Sequence, residues 1–166
     1  MPRRRPSNAQ AGARAARASR RRPHRSARFT APTPPNEHLE EAVCAAVFEY
    51  QLRQPLADAP RPLRYYVARQ GRNPSGALLG RLQRLAPGVQ PFTQCRVSGR
   101  DGVVDRVTGA RGVILQVSRL TWRHATAAEV VGGYYLTHRQ AASFRYSLES
   151  HDSRWAVTAA HLLWRV

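Results

Sequence analysis

The chain has 166 residues, 42% of them hydrophobic, and a formal charge of +17. That length fits one domain with some chain to spare, and no apolar run approaches the ~18 residues that a membrane helix needs. Cys44 and Cys95 stand far apart and outside any CxxC spacing, so neither a four-cysteine metal site nor a disulfide-rich scaffold is supported. Both are expected to be reduced, buried thiols.

The charge is unevenly distributed. The first acidic residue is Glu37, and ahead of it stand Arg3, Arg4, Arg5, Arg14, Arg17, Arg20, Arg21, Arg22, Arg25 and Arg28. The remaining 17 arginines face all 10 acids. The absence of lysine points to GC-rich coding, so part of the arginine content is mutational in origin. Residues 1–35 are built from Arg, Ala, Pro and Ser, with Phe29 the only aromatic. Such a composition cannot bury enough apolar surface to offset an ordering cost of about 1–2 kcal/mol per residue, so a disordered tail is expected there. Four readings of the segment stay open. It lacks the apolar stretch of a secretory signal and resembles an organelle transit peptide only in composition. It is suited to gripping nucleic acid or another polyanion, because guanidinium pairs with phosphate and binding releases counterions. It could also be an overextended start with no selected role. The expected location is cytoplasmic.

Residues 36–166 are expected to form a single α+β domain. Asn36 precedes Glu37, Glu40 and Glu41, which together make a good helix start. Leu39, Val43, Ala46, Val47 and Tyr50 then share one face, so the spacing predicts a helix over 37–53, ended by Pro55. Leu63 to Arg69 reads as a strand. Asn73-Pro74 reads as the cap and first residue of a second helix carrying Leu78, Leu79, Leu82 and Leu85. Both helices are expected to precede the main sheet.

From residue 102 the period becomes two. Strands are predicted over 102–107, 112–122 and 129–137. Next comes a clear alternation, with Ala142, Phe144, Tyr146 and Leu148 against Ser143, Arg145, Ser147 and Glu149. His151-Asp152-Ser153 turns the chain into a last strand from Trp155 to Trp164, with a bulge expected near Ala159-Ala160. Gly132-Gly133 within a strand suggests a bend. Two helices and a meander of this kind imply a curved antiparallel sheet wrapped on the N-terminal helices.

The runs Val131-Gly132-Gly133-Tyr134-Tyr135, Phe144 to Glu149 and Arg154 to Thr158 resemble the closing strands of small bacterial nuclear-transport-factor-2-like or cystatin-like proteins. The resemblance covers about 35 residues and implies a conical sheet able to hold a ligand. The class includes isomerases and dehydratases that use an Asp or His with a tyrosine in the cone.

Few residues offer chemistry. His161 shares parity with Trp155 and Val157, making it the one histidine placed to face the cone as a general base or ligand. With no partnered acid identifiable, a satisfied core or sheet histidine is the favoured reading over a general base. No HxxxH or HxH pair exists, so no metal and no cofactor are expected. Asp58, Asp101, Asp105, Tyr65, Tyr66, Tyr134 and Tyr135 are available to an enzyme, but Asp101 and Asp105 flank a glycine-rich turn, where Asp serves local hydrogen bonds. Arg64, Tyr65 and Arg69, and also Arg145 and Tyr146, interleave cation and aromatic as single-strand platforms do. The leading expectation is a non-enzymatic binding or interaction domain with a polyanion-attracting tail and a protein partner on the sheet as a further option. The alternative is a small-ligand-binding or isomerase-like enzyme using the conical pocket.

Overall fold

The computed structural model describes residues 36–54, 64–99 and 101–166; the arginine-rich segment 1–35 and Asp58 lie outside them. The protein is α+β, with two α-helices and a mostly antiparallel sheet. Among the described residues no helix is long and apolar enough to cross a membrane.

Helix α1 runs over Glu37–Arg53, and the Asn36 side chain accepts a hydrogen bond from the His38 amide at 3.2 Å. Glu37 and Glu40 in its first turn and Arg53 in its last oppose the helix dipole favourably. The buried arc is wider than one stripe: every residue from Val43 to Phe48 is buried, while Leu39 remains 44% exposed. Strand β1, Arg64–Arg69, follows.

Helix α2 spans Gly76–Leu85, and its cap is Ser75, whose Oγ accepts from the Leu78 amide at 3.1 Å. The start expected at Asn73-Pro74 is thus two residues early. Asn73 bonds across to Thr93 instead, accepting from its amide and donating to its hydroxyl, both at 3.0 Å.

Strands β2 (Val89–Pro91), β3 (Cys95–Ser98) and β4 (Gly102–Asp105) precede the long meander of β5 (Gly112–His124), β6 (Ala127–Thr137), β7 (Gln140–His151) and β8 (Arg154–Arg165). The six-stranded sheet has the order β2-β1-β5-β6-β7-β8, with β1 parallel to both β2 and β5 and the remaining pairs antiparallel. Only α1 therefore precedes the main sheet; β1 joins it between the helices, through a parallel pairing that leaves no local sequence signal. Strands β3 and β4 form a separate antiparallel pair.

The two faces of the large sheet are covered differently. Val67 of β1, Val113, Leu115 and Val117 of β5, Val130 of β6, and Tyr146 and Leu148 of β7 bury against α1 and α2. On the opposite face Tyr66, Ala68 and Ile114 pack with Cys95 and Val103 of the β3–β4 pair. That small sheet approaches closely: a Cβ on Gly102, whose φ is +76°, would lie 2.2 Å from the Leu136 carbonyl oxygen. Among the described residues nothing comparable covers the same face of β7 and β8, where Arg145, Glu149, His161 and Trp164 are exposed.

Bulges set the register of the last strands. Leu148 pairs with Val157, but Ser147 pairs with Ala159, so Thr158 is the extra residue; a second shift leaves Leu163 unpaired between Leu162 and Trp164. The expected bulge near residues 159–160 is therefore present one residue earlier and is accompanied by another. Asp152 and Ser153, at φ of 50° and 62°, close the two-residue hairpin turn.

At Gly133 the strands leave no room for a side chain, because a Cβ would meet the Ala142 carbonyl oxygen at 2.0 Å. Gly133→Ala is predicted to cost about 1–3 kcal/mol, the usual cost of overfilling a packed interior. Chemical denaturation measures it, and an unchanged midpoint would contradict the packing described.

Candidate functional site

The most strongly held ionisable group is Asp105, at the end of β4. One carboxylate oxygen accepts from the Val107 amide (3.0 Å), the Thr108 amide (2.8 Å) and the Thr108 hydroxyl (3.0 Å). The other accepts from the Tyr66 hydroxyl at 2.9 Å and Arg64 Nη1 at 3.2 Å. The Thr108 amide above all, and then the Tyr66 hydroxyl, hold this carboxyl well below the usual carboxylate range. Burial, reinforced by the hydrogen bond to Asp105, pushes the Tyr66 phenol up. The turn-binding role read for Asp105 is half of its function. The other half is to tie the β4 turn to β1, 39 residues away in sequence at Tyr66. Tyr66 is fully buried, so the pair is closed to a substrate and acts as a structural pin.

A second polar centre lies on the helix-covered face. Gln51, buried in the last turn of α1, donates through Nε2 to the Tyr146 hydroxyl at 3.2 Å and to the Gly133 carbonyl at 3.3 Å. Its Oε1 is buried with no hydrogen-bond partner among the described residues. Its partner Tyr146 sits among aromatic rings: Tyr50 meets it edge-on at 5.8 Å, and Phe144 lies 5.8 Å away. Burial raises the Tyr146 phenol. Gln51 escaped sequence reading because a glutamine at a helix end carries no signal of burial.

The third arrangement is the open face of β5 to β8. Residues directly opposite on antiparallel strands share a face, so the register defines rows across it. Arg119 pairs with Val131, Val131 with Arg145, and Arg145 with His161. The adjacent row runs Gln116, Gly133, Ser143 and Trp164. His161 is thus exposed beside Arg145, on the face opposite Trp155 and Val157. The parity that pointed it at the helices is corrected by the single bulge at Thr158, which turns every later residue over. Trp164 returns to the parity expected without a bulge because the second one, at Leu163, cancels the first.

The anticipated stacking candidates separate. Arg64 is committed to Asp105 and Arg69 to Glu40, Tyr65 is half-buried toward the helices, and Tyr146 is buried on the face opposite Arg145. Asp101 bonds only locally to Ser98, whose Oγ lies 3.2 Å from its carboxylate. Tyr134 packs on the helix-covered face and Tyr135 on the other. Both cysteines are free and buried, on opposite faces of the sheet. Burial pushes the Cys44 thiol up to about 11 and raises that of Cys95. Burial thus favours the protonated thiol at both positions. Among the described residues no three His, Cys, Asp or Glu side chains gather to hold a metal ion.

Compared with known proteins, the chain matches no family model, no curated protein and no solved structure.

A depressed carboxyl pKa contributes stability above the unfolded value, which is lost as pH falls toward the folded one. The folded protein is therefore predicted to lose stability as pH drops below about 4, the ordinary carboxylate range. Asp105→Asn should be less stable at neutral pH and should show a shallower acid loss. Urea midpoints across that range measure both, and identical acid slopes in the two proteins would contradict the assignment.

Proposed function

We propose that the protein is a non-enzymatic binding domain for polyanions, in which the arginine-rich segment 1–35 and the cationic surface of a single domain over 36–166 act on the same ligand. The observation that carries this reading is how the acids are used. Glu40, Glu49, Asp105 and Glu129 are engaged by arginine, whereas Glu37, Glu41, Asp101, Glu149 and Asp152 have no arginine partner among the described residues and are fewer than the arginines left over. Arg96, Arg119, Arg139, Arg145, Arg154 and Arg165 are exposed and have no acidic partner among the described residues. The positive excess of the folded part is therefore surface charge free to meet phosphate or carboxylate, and guanidinium is the group best shaped for either. An enzyme reading lacks this support, since the His151–Glu149 contact at 3.4 Å is exposed and solvated, and Asp105 is sealed.

A second reading follows from Gln51. Its unpartnered Oε1 and the Tyr146 hydroxyl proton offer an acceptor and a donor side by side among aromatic rings, a pairing that suits a small amide or carboxylic acid. The nuclear-transport-factor-2-like or cystatin-like cone belongs to this reading, supported by α1 lying on the meander and by the side-chain-free Gly132-Gly133.

Binding of the full chain to a single-stranded oligonucleotide is predicted to weaken about 10³–10⁵-fold between about 50 and 200 mM salt. Changing Arg3, Arg4, Arg5, Arg14, Arg17, Arg20, Arg21, Arg22, Arg25 and Arg28 to glutamine should flatten that dependence. A slope unaffected by these changes would assign the contacts to the folded part. Absent or salt-independent binding would contradict the proposal. For the second reading, ligand-observed magnetic resonance with small amides and carboxylic acids should detect binding that Tyr146→Phe weakens; equal signals with both proteins would remove it.

A further inference from the structure

We infer that the open face of β5 to β8 is a platform for single-stranded nucleic acid, with Arg119 and Arg145 contacting phosphates and Trp164 stacking on a base. The inference rests on the polyanion reading above and gives it a place, an orientation and a ligand class. Four observations converge on it.

Charge comes first. Arg119 and Arg145 lie in one row, separated by Val131 and continued by His161 on β8. Both arginines are exposed and free of acidic partners among the described residues. Of the strand acids on that face, Glu129 is held by Arg123 at 2.5 Å, and Glu149 lies farther along β7, beside His151 at 3.4 Å. Strand spacing of about 4.8 Å places the two guanidinium stems roughly two strands apart across the sheet. Such a row tracks a backbone.

The aromatic residue is in the neighbouring row. Trp164 is 50% exposed, and its row continues through Ser143 and Gly133, whose side chains are small or absent, to Gln116. Ser143 and Gly133 are themselves buried, while half of the Trp164 surface remains open to solvent. The other two tryptophans are used differently, since Trp122 and Trp155 pack edge-on against each other at 5.5 Å and join the helix-covered core. Rows on one face of a strand lie about 6.6–6.8 Å apart, so cation and ring can engage one nucleotide and its neighbour.

Both helices lie on the opposite face, and a broad sheet fits an undeformed major groove less well than a helix or two-stranded ribbon does. A duplex also hides its base faces from Trp164. An unpaired strand offers what this surface can use, phosphates for the row and a ring for the indole. An acidic protein segment would satisfy the arginines but would leave the indole without a partner.

The experiment uses the full chain and three probes: an oligothymidylate of roughly 16 nucleotides, the upper end of known site sizes, an abasic strand of equal length, and polyglutamate. Oligothymidylate should quench tryptophan emission. Trp164→Ala should weaken oligothymidylate about tenfold, within the range for one lost stacking contact, and leave the abasic strand unaffected. Trp164→Phe keeps a ring and should retain most of the affinity while losing the quench. Arg119→Gln with Arg145→Gln should weaken both strands and lower the salt slope by about 1.4, which is about 0.7 for each contact to a single strand. Thermal midpoints near the parent value establish that the variants fold. Oligothymidylate affinity indifferent to Trp164→Ala, or polyglutamate bound as tightly with the same dependence on Trp164, would overturn the platform. If affinity depends on the leader arginines alone, the platform falls while the polyanion reading stands. If no probe binds, both fall.

Discussion

The register between β7 and β8, with one extra residue at Thr158 and another at Leu163, decides which side chains of the last strand meet α1 and which meet solvent. Trp155 and Val157 pair with the inward-facing positions of β7 and join the core. Beyond the first bulge the assignment reverses, and His161 emerges beside Arg145. Beyond the second, Trp164 emerges beside Ser143. A strand with neither bulge, or with both displaced, would distribute the same residues differently between a helix-covered core and an open surface. The bulges also twist an edge strand away from flat pairing with other chains, which matters for one carrying Leu162, Leu163 and Trp164 at 55%, 42% and 50% exposure.

Unequal cover of the sheet is what makes this register consequential. Helices α1 and α2 occupy one face, and the β3–β4 pair, pinned through Asp105 to Tyr66 and Arg64, occupies the other only near β1, β5 and the end of β6. The pin is local in part, because Asp105 binds its own turn at Val107 and Thr108, and long-range in part, because the same carboxylate holds β1. Arg64, the buried Tyr66 hydroxyl and the donors of its own turn at Val107 and Thr108 keep that carboxylate ionised without leaving it unsatisfied. Among the described residues no such packing covers the outer face of β7 and β8, where Arg145 is exposed without an acidic partner, in one row with Arg119 of β5.

Much of this architecture was legible in the residues, and the exceptions have physical causes. Helix α1 was readable to its ends because Asn36 caps it and Pro55 follows, while the alternation of β7 was readable because one face is buried and the other solvated. The start of α2 was misplaced because Asn73 found partners at Thr93, outside any local window. The parallel alignment of β1 with β5 joins segments more than forty residues apart, and no local pattern encodes it. At the candidate sites, the turn role of Asp105 was visible from its glycine-rich surroundings, but its bond to Tyr66 was not. His161 was assigned to the wrong face because a bulge inverts parity without changing composition. Gln51 was overlooked because its burial depends on where Gly133 and Tyr146 fall in the fold.

The central claim is that the exposed face of the last strands, rather than the helix-covered face, meets the ligand. Backbone amide shifts of the full chain, followed through a titration with oligothymidylate, test it most directly. The account predicts that the largest changes fall on Ser143 to Ser147 and Ala159 to Trp164, together with Arg119 and Val131. Changes confined to α1, β1 and the surroundings of Gln51, or to the leader alone, would contradict it.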